Sequence, residues 1–286
     1  MIKKKALITG IWIYGQDAYY LSNLLLEKDY EVFGVTHIDI KKSNNPYLSD
    51  KIHFFVSDFS YQSYANFILE KIQPDEIYNL AGISSIQDIN NNPYKTIETN
   101  SLIPLNILEI SRKKLPNTKI LQLSSSHIFN NSFSNLINES IQPNPNNIYG
   151  YSKLIAQQLI KYYRDYYNLF ACNLIAFNHT SPFRQENFVE AKIIKSAIKI
   201  KLGLKSQLSL GNINAMKDFS HAKDVMNAAW MILNHNKPDD FIIASGELHS
   251  VEEICEYTFK KLSINYADYI VYNLDNYRPN DTTKIY

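Results

Sequence analysis

Two side chains able to share acid–base chemistry lie four residues apart in the run Tyr149-Gly150-Tyr151-Ser152-Lys153. On a helix, residues four apart share a face, so the Tyr149 hydroxyl and the Lys153 ammonium can point into one site. A phenol titrates at about 10 in water, too high to exchange protons readily at neutral pH. A fixed cation beside it favours the phenolate and lowers that value, which makes Tyr149 a usable acid and base. Tyr151, two positions on, faces elsewhere. The same spacing also fits a solvated helix face carrying a half-buried tyrosine, so the rest of the chain has to decide.

A second chemical feature sits at the start. The short apolar run Ala6-Leu7-Ile8-Thr9 ends at Gly10, and a helical pattern follows Gly15 from Tyr20 to Lys28. Strand, glycine turn and helix form the arrangement in which backbone N–H groups and a helix N-terminus hold a pyrophosphate. In Gly10-Ile11-Trp12-Ile13-Tyr14-Gly15-Gln16-Asp17-Ala18 the first gap is longer than the usual fingerprint. Ala18 stands where a third glycine would be, which is tolerable because that position requires only close helix–strand packing. The bulky Trp12-Ile13-Tyr14 segment would either cover a dinucleotide or obstruct it. With only 8 glycines in the chain, each one is informative. In such a fold the end of the second strand reads the ribose, an acid favouring NAD and cations favouring NADP. Here Asp39 and Lys41-Lys42 are both available, which leaves the choice open. Asp58, closing the third strand, is an adenine contact or a capping residue.

The elements that must position these groups follow in alternation. Strands are expected at Glu31–Val35, His53–Val56, Glu76–Ala81, Lys119–Ser124 and Ala171–Phe177. Helices are expected at about Tyr61–Lys71, Thr96–Lys114 and from Lys153 to about Tyr166. Strands alternating with helices of this length argue for an α/β fold built on a doubly wound parallel sheet. From Ser181 the alternation becomes irregular, which points to a substrate lobe interleaved with returns to the sheet. The expected division is residues 1–175 for a mainly dinucleotide-binding Rossmann domain and 176–286 for a mainly substrate-binding lobe.

The 286 residues suffice for a sizeable core. Charge is nearly balanced, 29 Lys+Arg against 28 Asp+Glu, with no long basic run, which points away from nucleic acid as a partner. The apolar runs are short and interrupted, so no membrane span is expected. Lys3-Lys4-Lys5 leads straight into the first strand, unlike a signal peptide. Cys172 and Cys255 sit inside apolar patterns, which suggests neither a disulfide framework nor a metal cluster and fits a reducing cytoplasm.

With Tyr149, Lys153, the glycine turn and Ser124-Ser125-Ser126 in view, the chain resembles the extended short-chain dehydrogenase/reductases, and within them the GDP-mannose 4,6-dehydratase family. The resemblance covers nearly the whole chain. It is densest in Glu76-Ile77-Tyr78-Asn79-Leu80-Ala81, Phe177-Asn178-His179-Thr180-Ser181-Pro182, Lys217-Asp218-Phe219-Ser220-His221-Ala222-Lys223-Asp224, Ala244-Ser245-Gly246-Glu247-Leu248-His249-Ser250-Val251 and Tyr277-Arg278-Pro279.

That resemblance implies a nicotinamide cofactor, NADP or else NAD, that stays bound and is recycled while a GDP-sugar loses water. Tyr149 would be the base at the C4 hydroxyl and Lys153 would hold the nicotinamide ribose. Ser125 would hydrogen-bond the C4 oxygen. Gly10, Gly15, Gln16, Asp17, Asp58, Leu80 and Ala81 would lie along the cofactor. Ser84, Asn178, Val189, Lys192, Lys217 and Arg278 would meet the nucleotide sugar, Lys217 standing where the family usually carries an Arg. A Lys neutralises a phosphate but cannot grip it with a two-pronged fork.

The main departure is His127, where the family has a Glu as the base near sugar C5. An imidazole can also remove a proton α to a ketone, so a dehydratase on GDP-mannose or a related GDP-sugar is expected. A GDP-4-keto-6-deoxy-sugar reductase or epimerase is the alternative, since neither needs an elimination base. A non-catalytic GDP-sugar-binding paralogue is the third reading. Glu139, before a Pro/Asn-rich loop, reads as a loop residue. The family also implies a homo-oligomer, dimer or tetramer, and a chain running past Tyr286 into a terminal helical segment, so truncation or a disordered tail is expected here.

Overall fold

The computed structural model describes residues 3–12, 15–37, 48–130 and 136–273. Its larger layer is a seven-stranded parallel sheet. In chain order the first strands and helices are β1 (Lys5–Thr9), α1 (Gln16–Glu27), β2 (Glu31–Thr36), β3 (His53–Val56), α2 (Gln62–Ile72), β4 (Glu76–Asn79), α3 (Ile86–Asn91), α4 (Pro93–Lys114), β5 (Lys119–Ser125), α5 (Ile148–Tyr167) and β6 (Ala171–Ala176). Then come β7 (Asn178–Thr180), α6 (Val189–Lys201), β8 (Leu208–Leu210), β9 (Met216–His221), α7 (Ala222–Leu233), β10 (Asp240–Ile243), β11 (Leu248–Ser250), α8 (Val251–Lys261) and β12 (Ile270–Tyr272). The sheet order is β10-β6-β5-β4-β1-β2-β3. β2 and β4 both pair with β1, in parallel and on opposite sides, so the order reverses there and a crevice opens outside the carboxyl ends of β1 and β4.

The strands read as the sequence requires of a sheet covered on both faces, nearly continuous apolar runs. β4 and β6 are buried at every position. Helices close one face with Leu21, Leu25, Val225 and Met226 among the buried residues, and the other with Ile68, Leu69, Ile103, Ile107 and Ile160. A charged residue in a central strand needs partners. The buried Glu76 accepts from Tyr30 Oη at 3.0 Å and Tyr78 Oη at 2.7 Å, and Lys4 Nζ lies 3.3 Å away.

Several boundaries differ from the expected ones. α1 starts at Gln16, not Tyr20, because Gly15 serves as its N-cap ahead of the apolar stripe. α4 starts at Pro93, with Asn92 Oδ1 accepting from Lys95 N at 3.0 Å and proline in the first turn, where its missing N–H is no loss. β4 stops at Asn79, and Leu80 N already turns back to Tyr78 O at 3.2 Å.

The chain after β6 builds a smaller lobe and twice returns to the large layer, through α7 and β10. β11, β9 and β7 form a three-stranded sheet, and β12 pairs with β8. Ile193, Ala197, Leu210, Val251, Cys255 and Phe259 fill the core of this lobe. Asp218 is fully buried and holds the turn before β11, accepting from Ser245 N at 2.9 Å and Gly246 N at 2.7 Å. Glu139 lies in a loop, yet Oε1 accepts from Ile242 N at 3.0 Å, which caps a peptide group of edge strand β10. Among the described residues no helix is long and apolar enough to cross a membrane.

Candidate active site

The site forms where β1, β4 and β5 end. Asn147 starts α5 by accepting from Gly150 N at 2.9 Å, and the first turn then presents Tyr149 and, one turn on, Lys153. Gly150 allows this turn to press on the end of β5. A Cβ there would lie 2.6 Å from His127 O and 2.8 Å from Pro145 Cβ. Gly150→Ala is therefore an overpacking change, expected to cost about 1–3 kcal/mol and to push Tyr149 off the His127 backbone. Thermal unfolding and turnover measured on one preparation check this.

β5 delivers Ser125, and a 3-10 turn at Ser126–Phe129 carries His127. Ser125 Oγ accepts from His127 N at 3.3 Å and sits near enough to the Tyr149 phenol to pull its pKa down. The His127 and Tyr149 rings meet edge to face with centroids 5.2 Å apart. His127 Nδ1 lies 3.0 Å from Asn130 Nδ2. Lys153 is buried and its Nζ donates to Leu123 O at 2.9 Å.

The electrostatics depart from the expectation that Lys153 lowers the Tyr149 pKa. Burial pushes Tyr149 above its ordinary value, with Asp17 adding to the rise, while Ser125 and Arg184 pull against it. Burial also brings Lys153 down to about 8, opposed by Asp17. Both groups have left water and the ammonium is engaged by a carbonyl, so desolvation sets the direction of both shifts.

At the opposite side of the crevice, Gly10 has φ +73°, and a Cβ on it would come within 2.6 Å of the Ala81 backbone. This left-handed, close approach admits only glycine. Gly10 N and Ile11 N both donate to Val35 O, at 3.0 and 3.3 Å. Gly15 caps α1, and among the described residues no N-cap side chain takes its first N–H groups, so that helix end can offer donors to an anion. The arrangement fits a dinucleotide diphosphate, and Ala18 is buried against the sheet. Ala81 N donates to Thr9 Oγ1 at 3.4 Å, and Leu80 C would lie 2.9 Å from a Cβ on Gly10.

Gln16 and Asp17 are engaged by the smaller lobe. Gln16 Nε2 donates to His179 O at 3.0 Å, and the Asp17 carboxylate meets His179 Nε2 at 3.1 and 3.2 Å. Asp58 accepts from both Ser60 N at 2.9 Å and Ser60 Oγ at 2.7 Å, the capping geometry of a turn. Ser84 is exposed after β4, and Ser85 caps α3. Asn178 opens β7, half-buried beside Phe219. Val189 opens α6 on the core of the smaller lobe. Lys192, a turn further, is held below its ordinary pKa by burial and the nearby charge of Lys205. Lys217 lies on β9 opposite His249. Arg278, Asp39, Lys41, Lys42, Ile13 and Tyr14 lie outside the described residues.

Sequence reasoning missed three groups. Asn100, inside α4, holds Ile83 by both amide atoms at 2.8 and 3.1 Å and donates to Ser152 Oγ at 2.9 Å, which ties α5 to the loop after β4. A polar residue on the buried stripe of a helix was its one signal. Arg184 and His179 gave none, since both act across the chain.

A family model described as GDP-mannose 4,6 dehydratase matches residues 7–285. GDP-mannose 4,6 dehydratase 2 of Arabidopsis thaliana is 36% identical over 97% of this chain and 77% of its own. GDP-mannose 4,6-dehydratase of Vibrio cholerae is 34% identical over 92% and 73%. Among solved structures, a dTDP-glucose 4,6-dehydratase from Bacillus anthracis in complex with NAD superposes with a TM-score of 0.82 at 17% identity, covering 99% of this chain and 86% of the other. RMD from Pseudomonas aeruginosa complexed with NADPH gives 0.80 at 20%, covering 99% and 89%.

Proposed function

This chain belongs to the GDP-mannose 4,6-dehydratase family, and from that membership we propose that it is an NAD(P)-dependent dehydratase of GDP-mannose or a closely related GDP-sugar. C4 is oxidised, water is eliminated across C5–C6, and C6 is reduced. The observation that carries the reading is the cluster of Ser125, His127, Tyr149 and Lys153 gathered at the end of β5.

Gly10, Gly15 and the first turn of α1 would hold the diphosphate of a nicotinamide dinucleotide, and Lys153 its ribose. When bound, that group supplies the hydride acceptor and donor. NADP is the form we propose, with NAD the alternative. Tyr149 takes the proton of the C4 hydroxyl, and Ser125, beside the phenol at the end of β5, holds the C4 oxygen. Oxidation at C4 makes the C5 proton acidic, and His127 takes it. Asn130 Nδ2 faces Nδ1 at 3.0 Å, so for Nε2 to accept that proton the Asn130 amide has to turn its oxygen to Nδ1, which then carries the ring hydrogen. Asn178, Val189, Lys192, Lys217, Ser84 and Arg278 are proposed for the nucleotide sugar, mainly from the part of the chain after residue 175. The enzyme is proposed to work in the cytoplasm as a dimer or tetramer.

His127 in place of a carboxylate favours one second reading, a 4-keto-sugar reductase or epimerase on the same scaffold. Mass spectrometry of GDP-mannose, and of GDP-heptose, incubated without added cofactor separates the two. Loss of one water supports the dehydratase. Unchanged mass in folded protein, followed by NADPH consumption with a 4-keto substrate, replaces it with the reductase. His127→Ala is expected to slow water loss by about 10²-fold or more while spectroscopic GDP-sugar binding persists. Undiminished water loss would leave His127 a hydrogen-bonding neighbour only.

A further inference from the structure

β7 and the turn after it are pinned to the first turn of α1. His179 Nε2 faces both carboxylate oxygens of Asp17 and its Nδ1 lies 2.9 Å from Phe177 O. Gln16 Nε2 donates to His179 O at 3.0 Å, and Ser181 Oγ donates to Gln16 Oε1 at 2.8 Å. The Phe183 ring packs on Tyr19, centroids 4.2 Å apart. The Asp17 and His179 side chains are only 20% and 11% exposed.

An imidazole facing an acceptor at each nitrogen satisfies both only when doubly protonated, as a cation. Asp17 is an anion in the first turn of the helix whose first N–H groups would receive a diphosphate. Unpaired, it would repel that second anion. Paired with an imidazolium, it does so much less. The other charged groups that act here are Arg184 and Lys153, both felt by Asp17, with Arg184 opposing the charge on His179. Tyr149 in turn feels Asp17.

We propose that His179, acting through Asp17, is a positioning residue that fastens the smaller lobe to the first turn of α1 and keeps that helix end open to a diphosphate. The diphosphate half of this inference rests on the dinucleotide reading above, and the fastening half does not.

Burial lowers the His179 pKa, but the Asp17 charge and hydrogen bond raise it above the ordinary value overall. Its stabilisation is therefore fully present below about 6.5 and is lost as pH rises through the raised value. Asp17 is held below its ordinary value despite burial, chiefly by His179, so its share is present above about 3.8 and is lost only in acid. The fastening is strongest between these limits and weakens above them.

The test uses the full chain without ligand. The Tm advantage of the wild type over His179→Gln should shrink by about 2–4 °C from pH 6 to pH 9. In ¹³C-histidine NMR, the signal missing from His179→Gln should titrate above 6.5 in the wild type and lower in Asp17→Asn. A gap that does not change with pH, or a titration unmoved by Asp17→Asn, overturns the fastening. For the diphosphate half, fluorescence titration with NADPH and with NADH should show His179→Gln binding whichever of them the wild type takes about tenfold weaker and Asp17→Asn/His179→Gln recovering part of that loss. A double variant no better than His179→Gln overturns this half. Absence of both NADPH and NADH binding in every form, with the pH-dependent Tm gap intact, overturns the dinucleotide reading and leaves the fastening standing.

Discussion

Tyr149→Phe is expected to lower kcat by about 10³-fold or more, within the range that a positioned acid–base group contributes, while GDP-sugar binding stays close to that of the wild type. The substitution removes one oxygen and little else. The ring keeps its edge-to-face contact with His127, 5.2 Å between centroids, and α5 keeps the Asn147 cap that positions its first turn. What disappears is the hydroxyl that would take the C4 proton. Burial holds the phenol above its ordinary pKa in the free protein, so the hydroxyl is protonated at neutral pH and has to pass its proton on when a sugar binds. Single-turnover kinetics beside a binding titration give the answer. Wild-type rates in Tyr149→Phe would show that another group is the base at C4.

Lys153→Met is the second large effect, a loss of about 10²-fold or more in kcat/KM. Methionine replaces the buried stem at little packing cost but cannot donate to Leu123 O, which Lys153 Nζ meets at 2.9 Å. Lys153 titrates at about 8 because burial penalises its charge. Its charged fraction halves there and falls further as pH rises, so wild-type kcat/KM should decline on the alkaline side around that value. The residual rate of Lys153→Met should lack this limb. An alkaline limb that survives in the variant would assign it to a different group. Arginine is not expected to restore the rate, because a planar guanidinium does not reproduce the compact ammonium that meets Leu123 O.

Much of this molecule is dictated locally, and that part was legible in the sequence. The parallel sheet follows from apolar runs alternating with helix-length segments, and β1, β4 and β6 need no distant partner to declare themselves as buried strands. The shared face of Tyr149 and Lys153 follows from helical spacing alone. Gly10 is legible for a similar reason, since its position after a strand signals a turn, and the left-handed backbone confirms why no side chain stands there.

The tertiary structure decided whatever depends on residues far apart in the chain. Asp17 and His179 are 162 positions apart, so nothing local announces their pairing or makes His179 a cation. Glu139 looked like an ordinary loop residue because its partner, the Ile242 N–H on an edge strand, is 103 positions away. Three-residue strands such as β7 and β11 bury too little on their own to leave a periodic pattern, and they exist because β9 pairs with both. The Tyr149 pKa reversed direction for the same reason. Spacing brings a cation near a phenol, but only the assembled core determines how much water both have lost, and that loss sets the direction of both shifts.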